Sequence, residues 1–175
     1  MKHLLLGLSL LFLLGCSGMP KSVQPVAEFE LQRYLGTWYE IARLDHSFER
    51  GLSQVTAEYS MRSDGGVRVL NRGFSEAEQR WKEAEGRAYF VGDRDKAYLK
   101  VSFFGPFYGS YVIFDLDPEY QHAYISGPSH KYLWLLSRTP QVDPEILEDF
   151  VTKAQTLGFA TESLIFVEHS QPSTP

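Results

Sequence analysis

Two short stretches far apart in the chain constrain its fold more than any other feature: Gly36-Thr37-Trp38-Tyr39-Glu40-Ile41-Ala42-Arg43 and Tyr132-Leu133-Trp134-Leu135-Leu136-Ser137-Arg138. Both set β-branched and aromatic residues at period two, which favours strands over helices. Gly36 gives Trp38 a backbone entry free of Cβ restraint. Arg138 follows the same alternation as Tyr132 and Trp134 and so ends an apolar face. A guanidinium in that position needs a cage of carbonyl oxygens or an aromatic plane to stack on, and Trp38 can supply the plane.

Between the two stretches, strand signals recur with turn chemistry separating them, at the spacing of an antiparallel meander. After a short turn of helix near 31–35, strands are expected at 36–44, 54–62, 67–75, 80–91, 96–103, 108–116, 120–126 and 132–138. Asp64-Gly65-Gly66 is a tight-hairpin turn, and Gly92-Asp93-Arg94-Asp95 and Asp117-Pro118-Glu119 serve similarly. Eight such strands can close into a barrel that holds one small ligand. The period then changes. Asp143 as N-cap and Pro144 at the first helical position open a helix with Ile146, Leu147, Phe150, Val151, Ala154 and Leu157 on one stripe, and Gly158 ends it. That stripe must lie on the barrel wall, and 164–167 reads as a final edge strand. The expected fold is all-β: an eight-stranded antiparallel up-and-down barrel over 28–170, with one C-terminal helix on its wall and a short ninth strand.

The Gly-x-Trp start of the first strand and the arginine ending the last one resemble the lipocalin family, in which that arginine packs over the tryptophan at the closed end of the barrel. The stretches 36–43, 45–51, 101–109 and 132–140 are most similar to bacterial members, lipid-anchored proteins of the outer membrane. The family's middle motif, Thr-Asp-Tyr in many members, appears as Leu116-Asp117-Pro118 followed by Tyr120, which departs from the pattern but keeps a turn start.

Periodicity does not decide which alternation faces inward, because both faces of several strands are apolar. The resemblance supplies the phase. It implies that Ala57, Tyr59, Val69, Asn71, Val101, Phe103, Tyr111, Ile113, Tyr132 and Trp134 line a ligand site, with Val67 and Leu99 also inward, and that Gly36, Trp38 and Arg138 close the far end. Such a wall makes an apolar, aromatic cup with a few hydroxyls and one amide, suited to a small apolar ligand with a polar end. Ala57, Gly86, Ala88 and Ala123 are expected to keep its centre open. The same side chains can instead fill the barrel as an ordinary core.

At the start of the chain, Lys2 and His3 precede an apolar run over 4–14 and then Gly15 and Cys16, the anatomy of an export signal too short to span a bilayer permanently. Leu13-Leu14-Gly15-Cys16 resembles the bacterial lipoprotein cleavage box. This implies removal of 1–15, a diacylglycerol on the Cys16 sulfur and acylation of the new amino terminus; two or three acyl chains anchor stably where one holds only marginally. Ser17 resembles the outer-membrane sorting pattern, so the expected place is the outer membrane, facing the periplasm. Residues 16–27, with Pro, Ser and Gln and little to bury, read as a lipidated tether, and 171–175 as a tail. Cys16 is the only cysteine, so the mature chain forms no internal disulfide.

Composition closes off other classes. A chain of 175 residues, 43% hydrophobic, supports one substantial core. It carries 17 basic and 22 acidic residues, a net charge of -5 that losing Lys2 makes more negative. It has no Lys/Arg cluster interleaved with aromatics, so no nucleic-acid partner is expected. Gly-x-Ser-x-Gly, a Walker-type loop and His-Glu-x-x-His are all absent, and the histidines at 46, 122, 130 and 169 lack metal-ligand spacing, most of them reading as surface residues. No catalytic residue, metal or cofactor is expected.

The expected function is that of a membrane-anchored carrier that binds and stores or transports a fatty acid or lysophospholipid in the cell envelope, without enzymatic activity. The alternative is a structural or interaction lipoprotein with a filled barrel, whose aromatic loop Phe104-Gly105-Pro106-Phe107-Tyr108 docks a partner or a second copy. A homodimer is implied by the resemblance alone. The loops 45–53, 104–109 and 127–131 would ring the mouth, where Arg50, His130 and Lys131 are candidates to meet a phosphate.

Overall fold

The computed structural model describes residues 18–169; the signal segment 1–15, Cys16 and the tail 171–175 lie outside the described residues. A short helix α1 (Leu31–Tyr34) leads into β1 (Gly36–Leu44), followed by β2 (Leu52–Met61), β3 (Val67–Ser75), β4 (Arg80–Phe90), β5 (Tyr98–Phe104), β6 (Phe107–Leu116), β7 (His122–Ser126) and β8 (Leu133–Ser137). Each strand pairs with the next, β8 returns to β1, and β1 pairs with β2, so the eight strands close on themselves. Helix α2 (Pro144–Thr156) and a ninth strand, β9 (Leu164–Phe166), follow; β9 pairs with the end of β1. The barrel, its helix and its extra strand are those expected.

The bounds of β1 and β3 match the alternation, whereas β7 and β8 are shorter than expected because turns claim their first residues. The Asp117 carboxylate accepts the backbone N–H of Glu119 at 3.0 Å and of Gln121 at 2.7 Å, and Tyr120 takes a left-handed φ of 58°. The departure from the family motif therefore still builds a turn, capped by an aspartate on its own backbone.

Two cores divide the apolar residues. One fills the lower barrel with Trp38, Tyr34, Tyr59, Val67, Val69, Leu99, Ile113 and neighbours. The other lies between the wall and α2, where Phe150 and Ala154 are buried against residues such as Ile41, Val112, Leu133 and Leu135. Asp143 stands at the N-cap with extended backbone but makes no side-chain cap bond, so of the two start signals in the sequence Pro144 is the one that acts.

Two features depart from the reading of the sequence. First, the supposed tether is docked from residue 20 onward: Val23 is fully buried, Val26 N–H bonds Ile113 O at 2.9 Å, and Ala97 N–H bonds Val26 O at 2.9 Å. The polar average of the segment concealed Pro20, Val23 and Val26, which supply its apolar contacts. Second, the pairing of β1 with β8 shifts between Glu40 and Ala42. This bulge interrupts period two, so that Ile41 and Ala42 both join the wall core while Glu40 and Arg43 meet each other on the inner side.

Candidate functional site

The closed end uses both options that a guanidinium has. The Arg138 guanidinium lies 3.9 Å from the centroid of the Trp38 ring. Its Nη1 donates to Thr37 O at 2.9 Å, its Nη2 to Arg33 O at 2.8 Å and Leu35 O at 2.9 Å, and its Nε to Tyr120 O at 3.3 Å. Trp38 is fully buried and donates its indole N–H to Tyr34 O at 2.8 Å. Gly36 is required here: its φ is +96°, and a Cβ on it would stand 3.4 Å from Arg138 Nη1.

Above this plug is a triad of tyrosine hydroxyls. Tyr111 Oη lies 2.7 Å from Tyr34 Oη and 2.8 Å from Tyr59 Oη. Burial pushes all three hydroxyls well above the ordinary tyrosine range, so they stay protonated and bond one another.

One side of the cup wall carries charge that the alternation did not reveal. Arg43 Nη1 donates to Glu40 Oε1 at 2.5 Å and its Nη2 to Glu49 O at 2.9 Å. Trp134 Nε1 donates to Glu49 Oε2 at 3.1 Å, and His46 Nε2 approaches the same oxygen at 2.9 Å but off the hydrogen-bond line, leaving both ring nitrogens of the buried His46 without an aligned partner. Full burial, with the Glu49 carboxylate beside it, raises Glu40 well above the usual carboxylate range despite Arg43. Burial would raise Glu49 too, but the contacts from His46 and Trp134 outweigh it and hold Glu49 below that range.

The sequence-derived site residues differ in burial. Ala57, Tyr59, Val69 and Ile113 are buried in the inner core, while Asn71, Val101, Phe103, Tyr111, Tyr132 and Trp134 are half-buried. Tyr132 stands with Trp134, their rings stacked at 6.2 Å and 23°, and His46 packs edge-on to Trp134 at 5.1 Å. Asn71 Oδ1 is buried without a hydrogen-bond partner. Gly86 does not leave open space: the Phe103 ring lies over it, and a Cβ there would meet that ring at 2.8 Å.

At the rim, Arg50 is paired with Asp45 at 2.7 Å, and His130 is held 2.9 Å from Leu157 O at the end of α2. Lys131 is exposed. Tyr34, Glu40, Arg43, His46 and Glu49 were not among the sequence candidates. Among the described residues, no group of three or more His, Cys, Asp or Glu side chains could hold a metal ion.

A closed antiparallel barrel, stacked shut at one end and lined with apolar and aromatic side chains toward the other, defines a small-ligand-binding class of architecture. Residues 29–169 match the family described as a lipocalin-like domain, and the chain belongs to the lipocalin family. It is 62% identical over 169 residues to outer membrane lipoprotein Blc of Vibrio cholerae, covering 96% of this chain and 99% of that one. It is 51% identical over 149 residues to the Escherichia coli K12 protein of the same name, covering 85% and 84%. The fold is also that of insecticyanin from the tobacco hornworm Manduca sexta, with a TM-score of 0.70, 19% identity and 88% of each chain covered. Relatives this similar along the chain place the protein at the bacterial outer membrane.

Proposed function

We infer that the protein is a carrier, anchored to the outer membrane through acyl chains on Cys16, that binds one single-chain lipid with its hydrocarbon tail in the upper cup. The observation that carries this reading is a contrast in burial: Tyr34 and Tyr59 are buried above the Trp38 plug, while half-buried Val101, Phe103 and Trp134 offer an apolar wall. An amphiphile fits such a gradient. Burying each methylene is worth about 0.8 kcal/mol, so a dozen contribute on the order of 10 kcal/mol before immobilisation and rim desolvation are subtracted. Micromolar binding corresponds to about 8.2 kcal/mol, so it requires those costs to stay small in a preformed cup.

Fatty acids and lysophospholipids both meet these terms. Asn71 favours the second: its unpartnered Oδ1 needs a donor, which the free glycerol hydroxyl of a lysophospholipid supplies and a hydrocarbon tail does not. No step of chemistry on the captured lipid is part of this reading. Lipids extracted from the purified protein should include single-chain species, and a bound fluorescent fatty acid should be displaced by lysophospholipid. Asn71→Leu should narrow the preference between the two lipids. Failure to detect any saturable binding would reject the carrier. If Phe107→Ser abolished self-association in a protein that bound no lipid, the filled-barrel interaction protein would replace it.

A further inference from the structure

Among the described residues, His46 is the one enclosed side chain with two polar atoms left unpaired. It is 6% exposed and neither ring nitrogen has an aligned hydrogen-bond partner, yet Nε2 stands 2.9 Å from Glu49 Oε2. The same oxygen accepts the Trp134 indole N–H at 3.1 Å, and the imidazole packs edge-on against that indole at 5.1 Å. Native proteins rarely leave enclosed polar groups unbonded, and a second arrangement that uses them accounts for the exception.

The groups that face His46 come from four elements. Its own loop brings Glu49, and also Asp45, which is paired outward with Arg50 at 2.7 Å. From β1, Arg43 and Glu40 meet each other, and Arg43 Nη2 also donates to Glu49 O at 2.9 Å and Leu52 O at 3.2 Å. From β8 come the rings of Tyr132, at 5.9 Å, and Trp134. From β2 comes the Tyr59 hydroxyl, which burial keeps protonated with Glu49 and Glu40 near it. Arg43 thus pins the backbone of the loop, so a change in the charge of His46 is felt by side chains rather than by the course of the chain.

An imidazolium donates from both nitrogens, and its bond to a carboxylate is roughly twice as strong as a neutral one. Such a ring turns Nε2 onto the line to Glu49 Oε2. It cannot turn without moving the indole packed against it, and the indole then has a stronger rival for its acceptor.

We propose that His46 is a proton-sensitive positioning residue for the lipid cup: neutral, it leaves Glu49 to hold the Trp134 indole in the wall, and protonated, it takes Glu49 for itself and lets the indole turn, so that cargo is held less tightly as the pH falls. Imidazole is the side chain whose ordinary titration lies between pH 5 and 8. The effect on cargo rests on the carrier reading of the cup, whereas the exchange of partners at Glu49 stands without it.

The test uses the full mature chain with Cys16→Ser, so that no acyl chain competes for the cup. In lipid-free protein, the indole N–H resonance of Trp134, assigned by its loss in Trp134→Phe, should move along one titration curve between pH 8 and pH 5. His46→Gln and His46→Phe should each abolish that movement, the second keeping the aromatic packing in case the amide fails to fold. His122→Gln, beside Asp117 at the closed end, should leave it unchanged. A fluorescent lysophosphatidylcholine serves as binding probe, because its headgroup keeps one charge across this range and a fatty acid does not. Its affinity should fall about fivefold from pH 8 to pH 5 in the parent, at the low end of couplings between two sites, and stay level in the His46 variants. Reciprocity then requires bound lipid to lower the midpoint of the Trp134 curve by about 0.7 pH unit, the logarithm of the same factor. A Trp134 resonance indifferent to pH would overturn the proposal. So would a titration that survived in both His46 variants and vanished in Glu40→Gln, which would put the proton on Glu40. Level affinity in a parent whose indole does titrate would overturn the link to cargo. A titrating indole in a protein that bound no lipid at any pH would uphold the exchange at Glu49 and reject the carrier reading alone.

Discussion

At the closed end of the barrel every polar group is matched: Arg138 donates to four carbonyls and stacks on an indole that is itself hydrogen-bonded. Elsewhere the same barrel leaves Asn71 Oδ1, midway along β3, and the His46 nitrogens without aligned partners, and at its open end Phe48, Phe104 and Phe107 turn toward solvent. One end is arranged for stability and the other for occupancy. Unsatisfied polar atoms and exposed aromatics cost free energy in the isolated fold, and they persist where something else can satisfy them.

The contrast predicts that substitutions at the two ends separate stability from binding. Trp38→Ala should be the most damaging, with about 4 kcal/mol lost in urea denaturation, since a fully buried indole leaves a cavity beneath a charged group. Arg138→Met should cost about 2 to 3 kcal/mol in the same assay, because it keeps some stacking but strands the carbonyls. A loss below about 1 kcal/mol for either would mean that the stacked pair is not what closes the barrel.

The tyrosine triad makes a pH prediction of defined sign. Its hydroxyls are raised above 10.0 in the folded protein and titrate near that value when unfolded. Their contribution is therefore complete below about pH 10 and is lost as the pH rises beyond it, by about 1.4 kcal/mol per pH unit for each tyrosine until the folded protein also ionises. Tyr124, raised by burial and then by Asp149, adds to the same trend. Urea unfolding between pH 9 and 11 should show this fall, and Tyr111→Phe should make it shallower; a flat profile would mean that the triad is wetter than its burial indicates.

At the mouth the expected stability effects are the smallest. Phe107→Ser should stay within about 0.5 kcal/mol of the parent, as an exposed side chain away from any cap or core. Trp134→Ala should weaken fatty-acid displacement about tenfold, since it removes much of the half-buried apolar wall together with the donor to Glu49. If both left binding untouched while Arg138→Met abolished it without unfolding the chain, the assignment of roles to the two ends would be reversed.

The closed end was legible in the sequence because its logic is local in pattern even though its partners are distant. An arginine ending an apolar alternation needs a plane or a cage, and Gly36 before Trp38 announces a backbone that no other residue accommodates. The strands and turns follow from the same period-two reading, and the helix from its stripe. The charged wall was not legible. Glu40 and Arg43 stood in the most informative stretch of the chain, yet strict alternation puts them on opposite faces; only the bulge between Glu40 and Ala42 brings them together inside. His46 and Glu49 come from a loop whose course no periodicity describes, so the burial of His46 had no signal in the sequence. The docking of residues 20–26 was hidden for another reason. Its apolar contacts are few and widely spaced, and its hydrogen bonds to Ile113 and Ala97 go to parts of the barrel remote in sequence. For the inward residues the resemblance supplied the phase, whereas how far they fill the barrel depends on side-chain volumes that meet across it.

Native mass spectrometry of the protein released gently from its membrane is the most direct measurement of whether this barrel holds cargo. The account predicts one non-covalent adduct per chain with the mass of a single-chain lipid, exchangeable for added lysophospholipid and largely absent from Trp134→Ala. A folded chain that carries no adduct and takes none up, at any lipid concentration below micelle formation, would contradict it.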